Sequence, residues 1–473
     1  MIPEYVNSIL LRLRQAGRLA FAVGGCVRDI LRGVALHDWD ICTSARPEEI
    51  EEVFSDFPRI DTGKRHGTIA VIVDHRPVEI TTFRADGAYL DNRHPQTVTF
   101  LNDLEGDLSR RDFTINAMAL DEQEQPIDLF GGRQDLQAHI SRTVGAPRER
   151  FQEDGLRILR GLRFAARLDF TVEPETARAM IEERNLLKNI SAERIFTELK
   201  GILVGSAAVR ILREFAPVFF TILPELASME GFEQHSPYHD SDVWEHTLRA
   251  FEVSPAEPVF RLALLFHDCG KPACFTRDET GRGHFYGHPK KSRELAEQAL
   301  RRLKCDSDTL DRVLYLVEKH DTWLPETEKN MRRFLLHEDV DRVRDLLIVE
   351  RCDALAHSPF GRDPAIANVD TWEALLAAVL AEKPCLSLHS LAISGDDLVS
   401  LGMAPGPRMG QLLNDILEQV ADGTLENDRA ALLAYAKTKI WPFAAYKAGH
   451  CLRLVHILYA ILLQNSCTIG TRY

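Results

Sequence analysis

Near residue 120 the spacing of apolar residues changes, and that change restricts the chain to a mixed front end followed by a helical body. Before it, short β-branched runs at 68–73 and 78–83 alternate with turn clusters, while 47–54 carries helical spacing. Beyond it, almost every segment repeats its apolar residues at helical intervals. A chain of 473 residues is long enough for several domains, each burying its own core. The sequence therefore predicts an α+β fold, with an N-terminal head built on a mixed sheet and all-helical parts after it.

The head carries a pattern suited to phosphate and metal. The apolar run 19–23 reads as a strand, and Gly24 and Gly25 follow it in the string GGCVRDILRGVALHDWDICTS. Glycines at such a turn let backbone N–H groups approach a phosphate without Cβ obstruction. Arg28 and Asp29 come next, opening a predicted helix. Asp38 and Asp40 then form a D-x-D pair. In an extended strand residues i and i+2 share a face, so the two carboxylates stand side by side toward hard cations, and Trp39 turns toward a core. Two divalent ions held there would activate an attacking hydroxyl and stabilise a leaving pyrophosphate, which makes phosphoryl transfer the leading expectation. Glu79, in the strand VEITTF, is a candidate third carboxylate.

A second pattern lies in 150–168, RFQEDGLRILRGLRFAARL. Leu156, Leu159, Leu162, Phe164, Ala165 and Leu168 mark one side of a predicted helix, with Arg157, Arg160, Arg163 and Arg167 as a basic stripe beside it. Asp154 and Arg157, at i and i+3, are expected to project together as one acceptor and one forked donor. Cytosine and adenine both present an exocyclic amino donor beside a ring-nitrogen acceptor, whereas uracil and guanine present the reverse. An Asp–Arg pair would therefore accept CTP and ATP and reject UTP and GTP.

Charge and cysteine usage set the surroundings. Fifty-seven Lys and Arg against 71 Asp and Glu leave a net charge of −14, so contact with RNA must come from a local basic stripe rather than a polybasic surface. Nine cysteines occur without a C-x-x-C pair, which argues against a zinc ribbon or a disulfide framework and for reduced thiols. The start, MIPEYVNSILLRLRQAG, reads as an amphipathic helix rather than a signal peptide. The apolar stretch 452–464 is interrupted by Arg453 and His456 and falls short of the ~20 residues that span a bilayer. A soluble, cytoplasmic protein without a membrane partner is expected.

Four strings occur in a specific order: GGCVRD with DWD, RRDFTINAMA at 110–119, EDGLRILRGLRFAARL, and SAERIFTELKGIL at 191–203. In that order they resemble the class II tRNA nucleotidyltransferases, the CCA-adding enzymes, over roughly residues 15–230; bacterial poly(A) polymerases share most of them. The resemblance implies a polymerase-β-like nucleotidyltransferase head, a helical neck that selects the nucleotide, and helical parts that grip tRNA. By position, Asp38 and Asp40 would hold Mg²⁺, and Gly24, Gly25, Arg28 and Asp29 would frame the triphosphate. Arg111, Asp112 and Asn116 would contact sugar and phosphates, with Asp112 and Asn116 on one face of the helix that motif would start. Asp154 and Arg157 would form a protein template, and Arg160 and Arg163 would contact the triphosphate or the neck. The segment 84–100 resembles the family's flexible loop, which implies an ability to add A; Arg84, Asp86, Asp91 and Arg93 would act as its lever. The implied reaction is template-independent addition of CCA, or of its terminal A, to the 3′ end of tRNA from CTP and ATP, releasing pyrophosphate. A poly(A) polymerase-type adenylyltransferase is the alternative.

The middle of the chain holds another constellation: His246 in VWEHTLRAFE, His267 and Asp268 in LLFHDCGKP, His288 in FYGHPKKS, His320 in LVEKHD and Asp353 in RCDALAH. Imidazoles and carboxylates in this order resemble an HD-domain metal phosphohydrolase, with His246, His267, Asp268 and Asp353 as the four-ligand signature and His288 and His320 as further positions. A divalent transition metal there would lower the pKa of a bound water, and Lys271 would neutralise phosphate. Two rival classes follow: a phosphohydrolase whose front half recruits RNA, and a non-catalytic RNA-binding protein. Many bacterial CCA-adding enzymes carry such a module, which favours tRNA over poly(A) addition.

The expected domains are a head at 1–120, a neck at 121–230, an HD domain at 235–357, a tRNA-contacting tail at 385–440 and an extension of unassigned role at 441–473. A helix is predicted at 409–420, and 358–370 and 381–384 read as linkers. Oligomeric state is not legible.

Overall fold

The computed structural model describes residues 2–34, 38–86, 98–322 and 324–440. It divides into two compact units, Met1–His320 with Cys352–Arg362, and Asp321–Arg351 with Asp363–Tyr473.

In the first unit, helix α1 (Glu4–Gln15) leads to strand β1 (Ala20–Val23), and the chain turns at Gly24 into α2 (Gly25–Leu31). Strand β2 (Asp40–Thr43), helix α3 (Pro47–Val53) and strands β3 (Arg59–Ile60), β4 (Thr68–Val73) and β5 (Arg76–Thr82) follow. Strands β6 (Arg84–Asp86) and β7 (Val98–Phe100) pair as a separate ribbon; the residues between them, including Asp91 and Arg93 of the expected lever, lie outside the described residues. Helix α4 (Leu104–Ser109) and strands β8 (Met118–Leu120) and β9 (Pro126–Asp128) complete a seven-stranded sheet in the order β3-β4-β5-β2-β1-β8-β9. The sheet is mixed as expected, because β2 and β5 run parallel while the other neighbours run antiparallel. Its core follows from alternation: β4 buries Ile69, Val71 and Val73, and α1 buries Val6, Ile9, Leu10 and Leu13 at helical intervals.

Helices dominate from there: α5 (Gly132–Gln137), α6 (Pro147–Glu153), α7 (Leu156–Leu168), α8 (Pro174–Glu182), α9 (Ala192–Leu203), α10 (Ala208–Glu214) and α11 (Ala216–Ile222). Next come α12 (Val243–Glu252), α13 (Pro258–Phe266), α14 (Lys271–Cys274), α15 (His288–Arg302) and α16 (Ser307–Lys319). The second unit contains α17 (Glu328–Leu335), α20 (Gly395–Ser400), α21 (Pro407–Ala421) and a helix at 429–440, with a core of Leu398, Leu412, Ile416, Leu417, Leu432 and Ala436. Helices α18 (Val340–Ala356) and α19 (Pro359–Ala381) contribute residues to both units. Among the described residues no helix is long and apolar enough to cross a membrane. The extension at 441–473 lies outside the described residues.

Three sequence expectations are corrected. The stretch 150–168 is two helices rather than one, broken where Asp154 is extended at φ −140°. Gly155 sits at the break because a Cβ there would stand 3.0 Å from Leu186 Cβ and 3.2 Å from its carbonyl oxygen. RRDFTINA starts no α-helix; it makes a single 3₁₀ turn, Thr114–Asn116, because Thr114 N–H bonds to Arg142 O and Phe113 bridges to Thr143 before β8 begins. The predicted linker at 358–370 lies mostly inside α19, whose buried Val369, Trp372, Leu376 and Val379 form a helical stripe; Pro359 occupies the first helical position, where a missing N–H costs nothing.

Candidate active site and metal centre

The glycine turn and the D-x-D pair meet at the ends of two neighbouring strands. Val23 and Asp40 are register partners across β1 and β2, and Asp40 and Glu79 are partners across β2 and β5. Asp38 and Asp40 are exposed while Trp39 between them is buried, as the alternation requires. Gly24 has φ +82°, and a Cβ built on it would stand 3.0 Å from Arg111 Nη1 and 3.7 Å from Asp40 Oδ2. Glycine thus keeps open a recess with a guanidinium on one side and a carboxylate on the other. Although Asp40 keeps an exposed edge, desolvation by the protein packed around its carboxylate raises its pKa, Arg111 restrains that rise, and Glu79 and Asp38 add to it. Acidic groups that crowd one another in this way favour a divalent cation, so the donor set fits a hard metal.

One chain of polar contacts joins the remaining head residues. Arg28 holds Asp29 through a two-pronged contact at 2.8 and 2.9 Å and donates to Asn116 Oδ1 at 2.7 Å. Asn116 reaches Asp112 at 3.5 Å, and Asp112 accepts from Arg160 Nε at 2.8 Å. The 3₁₀ turn therefore still brings Asp112 and Asn116 together. Burial opposes ionisation of Asp112, but Arg160 outweighs it and holds the pKa below the usual carboxylate range.

The side chains of Asp154 and Arg157 do not bond to each other. Asp154 Oδ1 accepts from Leu156 N–H at 3.0 Å and Oδ2 from Arg194 at 3.0 Å. Arg157 is buried, bonded to the Arg150 and Arg110 carbonyls at 3.1 and 3.2 Å and paired with Glu153. One turn survives across the break at 154–155, with Arg157 N–H donating to Asp154 O at 3.0 Å, but each side chain is bonded to other partners. Arg163 pairs with Glu198 at 2.6 Å.

Sequence reasoning missed Asp107, Arg194 and Glu198. Asp107 is fully buried and accepts from Arg110 at 2.7 Å and Arg111 at 3.2 Å, so it anchors the arginine that faces Gly24. Its spacing of three and four residues from those arginines was a usable signal. Arg194 and Glu198 lie in SAERIFTELKGIL but meet partners 40 and 35 residues away, for which no local spacing exists.

The middle constellation closes into a compact centre within the first unit. His246 comes from α12, His267 and Asp268 from the end of α13, His288 opens α15, His320 caps α16 and Asp353 lies on α18. Ligand atoms of His246, His267, Asp268 and Asp353 lie within 4.8 Å of one another, as do those of Asp268, His288 and His320. His267, His288 and His320 each direct Nδ1 to a backbone carbonyl, of Leu264 at 2.6 Å, Phe285 at 2.9 Å and Val317 at 2.7 Å. A carbonyl only accepts, so Nδ1 carries a proton in each ring and Nε2 is the nitrogen left to face a metal. His288 Nε2 and His320 Nε2 are 3.1 Å apart, with Asp268 Oδ1 at 3.3 and 3.6 Å. His267 Nε2 is 3.2 Å from Asp268 Oδ2 and 3.4 Å from Asp353 Oδ1. Acceptors at such distances repel unless a cation lies between them, and metal–nitrogen bonds of ~2.0–2.1 Å space two ligand nitrogens by about 2.9–3.4 Å. The residues fit two cations sharing Asp268. Without a metal, Asp268 and Asp353 outweigh burial and push the His267 pKa up to about 10, so Nε2 then holds a proton that a bound metal would displace. Lys271 is buried, 2.7 Å from Asp268 and bonded to Gln234, so its charge is directed at a ligand carboxylate.

Comparison with known proteins adds the following. The family profile "Poly A polymerase head domain" matches residues 20–142, "Probable RNA and SrmB- binding site of polymerase A" matches 169–229, and "tRNA nucleotidyltransferase domain 2 putative" matches 288–436. A CCA-adding enzyme of Streptococcus suis is 34% identical over 91% of this chain and 95% of its own length, and one of Pediococcus pentosaceus is 34% identical over 91% and 96%. The crystal structure of the Bacillus stearothermophilus CCA-adding enzyme in complex with CTP is 28% identical, with a TM-score of 0.68, over 94% of this chain and 100% of that one. The Thermotoga maritima CCA-adding enzyme complexed with tRNA, at 20% identity and a TM-score of 0.57, covers 93% of this chain and 96% of that one and shares the fold.

Proposed function

The chain belongs to the CCA-adding enzymes, and from that premise we propose how its own residues carry out the reaction. It is a nucleotidyltransferase that adds CCA to the 3′ end of tRNA from CTP and ATP, releasing pyrophosphate. The tRNA 3′ hydroxyl attacks the α-phosphorus of the nucleotide, and the bond to the β-phosphate oxygen breaks. Bound at Asp38 and Asp40, Mg²⁺ would supply Lewis-acid polarisation of the phosphoryl group and charge for the leaving pyrophosphate.

The remaining tasks fall to this chain's side chains. Gly24 and Gly25 let the triphosphate approach the backbone, and Arg28, Arg111 and Arg160 offer guanidinium donors around it. Asp29, Asp112 and Asn116 orient those arginines. Arg163, tied to Glu198, supports the neck beside them. Asp154 and Arg157 read the base edge: a carboxylate has about four lone-pair sites, so Asp154 can accept from an exocyclic amino group while keeping Arg194. Arg157 presents a donor to the ring nitrogen by exchanging Glu153 for the base. We read the chain as a head at 1–120, a neck at 121–230, an HD domain at 235–357 and a tail at 385–440; the RNA-binding profile at 169–229 supports the neck.

The recess between Gly24, Arg111 and Asp40 carries this reading. Asp38→Ala and Asp40→Ala should each abolish nucleotide addition while tRNA binding, followed by gel retardation, persists. Addition at near-parent rate in either variant refutes the assignment.

The inward Nε2 atoms of His267, His288 and His320 favour a second activity, phosphoester hydrolysis at a transition-metal centre held by His246, His267, Asp268 and Asp353, with His288 and His320 completing a second position.

A further inference from the structure

A third cluster stands beside the deep centre, and of its three histidines only His246 has a role above. His239 lies in the loop before α12, His246 on α12, and His357 just after α18 ends. One ring nitrogen from each lies within 4.8 Å of the other two. Their ring centroids are 4.7, 5.0 and 5.7 Å apart. In all three rings Nδ1 is buried without a hydrogen-bond partner. His246 turns Nε2 to Asp353 Oδ1 at 2.8 Å, and His357 turns Nε2 to Asp353 Oδ2 at 3.5 Å, so Nδ1 is the nitrogen left over in both.

Buried polar atoms are nearly always satisfied, and three left unsatisfied around one small space call for a shared partner. A metal ion is the partner whose geometry matches. With metal–nitrogen bonds of ~2.0–2.1 Å and tetrahedral angles, imidazole centroids stand about 5.2 Å apart, inside the measured spread. We propose that His239, His246 and His357 form a three-imidazole site for a transition-metal ion of the Zn²⁺ class, separate from the deep centre and sharing His246 with it; when both sites are filled, His246 bridges them as an imidazolate, its ring proton released to solvent. Imidazoles without an oxygen ligand in the set disfavour Mg²⁺ and Ca²⁺ and favour Zn²⁺, Ni²⁺ or Cu²⁺. His239 and His357 are half-buried whereas His246 and His267 are buried, so the third site lies on the solvent side of the deep one. An ion there would fix the rings of His246 and His357 from the side away from Asp353, orienting ligands of the deep centre.

The inference depends on the two-cation reading only through His246, and the test separates them. The full chain is stripped with a chelator, reloaded with Zn²⁺, desalted and assayed for zinc per chain by plasma mass spectrometry. The His239→Gln/His357→Gln variant should retain one equivalent fewer than the parent, and a different equivalent from that lost in His288→Gln/His320→Gln, so that combining all four changes removes both. Equal zinc in the parent and the His239/His357 variant overturns the third site. Equal zinc in the parent and the His288/His320 variant instead overturns the second deep position. Should the double variant unfold, His239→Gln alone, at a half-buried ring, should weaken the weakest Zn²⁺ step about tenfold. An unchanged binding isotherm in that variant overturns the proposal.

Discussion

Asp107 is buried beneath the nucleotide recess, and its charge is held by two arginines. Burial opposes its ionisation, but Arg110 and Arg111 outweigh it and lower its pKa in the folded protein. A carboxyl lowered in this way stabilises the fold above its unfolded pKa of about 3.9, and loses that contribution as pH falls through the lower folded value. Asp107→Asn should therefore cost about 3 kcal/mol at pH 7, because it leaves two guanidinium groups short of a partner. In urea titrations the deficit should shrink progressively below about pH 4; a constant deficit would mean that shape rather than charge is lost. Arg194 sets a second expectation. If Asp154 reads the amino edge of the base, Asp154→Ala should erode discrimination against UTP and GTP more than triphosphate affinity, and Arg194→Ala should reproduce part of that effect by releasing Asp154. Unchanged incorporation ratios in both variants would remove the base-reading role. The D-x-D pair and the glycine turn were legible as residues because alternation and glycine geometry are local properties, whereas Asp112 came only through the family resemblance. The partners of Asp154 and Arg163 were not legible, since no spacing rule connects positions 40 or 35 residues apart.

At the level of elements, α7 is the least ordinary. It buries nine of its residues, Arg157 among them, so the expected basic stripe is narrower than four arginines: Arg160, Arg163 and Arg167 stay accessible. Gly161 permits that burial, since a Cβ on it would collide with the Phe113 ring and the Met180 methyl. Phe113 is itself held edge-on against Phe164 at 5.8 Å and has little room to move. Alanine would gain about 1 kcal/mol of helix propensity, while overpacking costs about 1–3 kcal/mol. Gly161→Ala should thus lower stability by ~1 kcal/mol and the melting temperature by a few degrees, against the ordinary trend for glycine in a helix. A stabilised variant would show that Phe113 can shift. Apolar periodicity gave α1, α3, β4 and α21 closely, and it failed where tertiary contact dictated the backbone. Leu186 pressing on Gly155 broke one predicted helix in two, and a buried Val–Trp–Leu–Val stripe turned a Pro- and Gly-rich linker into α19.

For the molecule as a whole, CCA addition and the proposed phosphoester hydrolysis fall to one chain with a net charge of −14. The acids and histidines assigned to them come from separate segments, 29–154 and 246–353, and share no residue. His267→Ala should abolish metal-dependent phosphoester hydrolysis and leave CCA addition within about twofold of the parent, and Asp38→Ala should do the reverse. Loss of both activities in either variant would argue for a single coupled centre. The division of the chain into a mixed head and helical parts was readable from periodicity alone, whereas the closure of six ligands from five helices into one cluster is a property of topology that ordered motifs only hint at.

Each arginine assigned to the nucleotide has an acid or amide at hand within the protein: Arg28 has Asp29 and Asn116, Arg111 has Asp107, Arg157 has Glu153, Arg160 has Asp112 and Arg163 has Glu198. An arriving triphosphate must compete for guanidinium groups that are already neutralised, so its binding is an exchange of counter-charges rather than the filling of a bare cationic hole. Weakly charged mimics such as nucleosides and monophosphates have too little to offer in that exchange, and the apo enzyme needs no borrowed anion to stay folded.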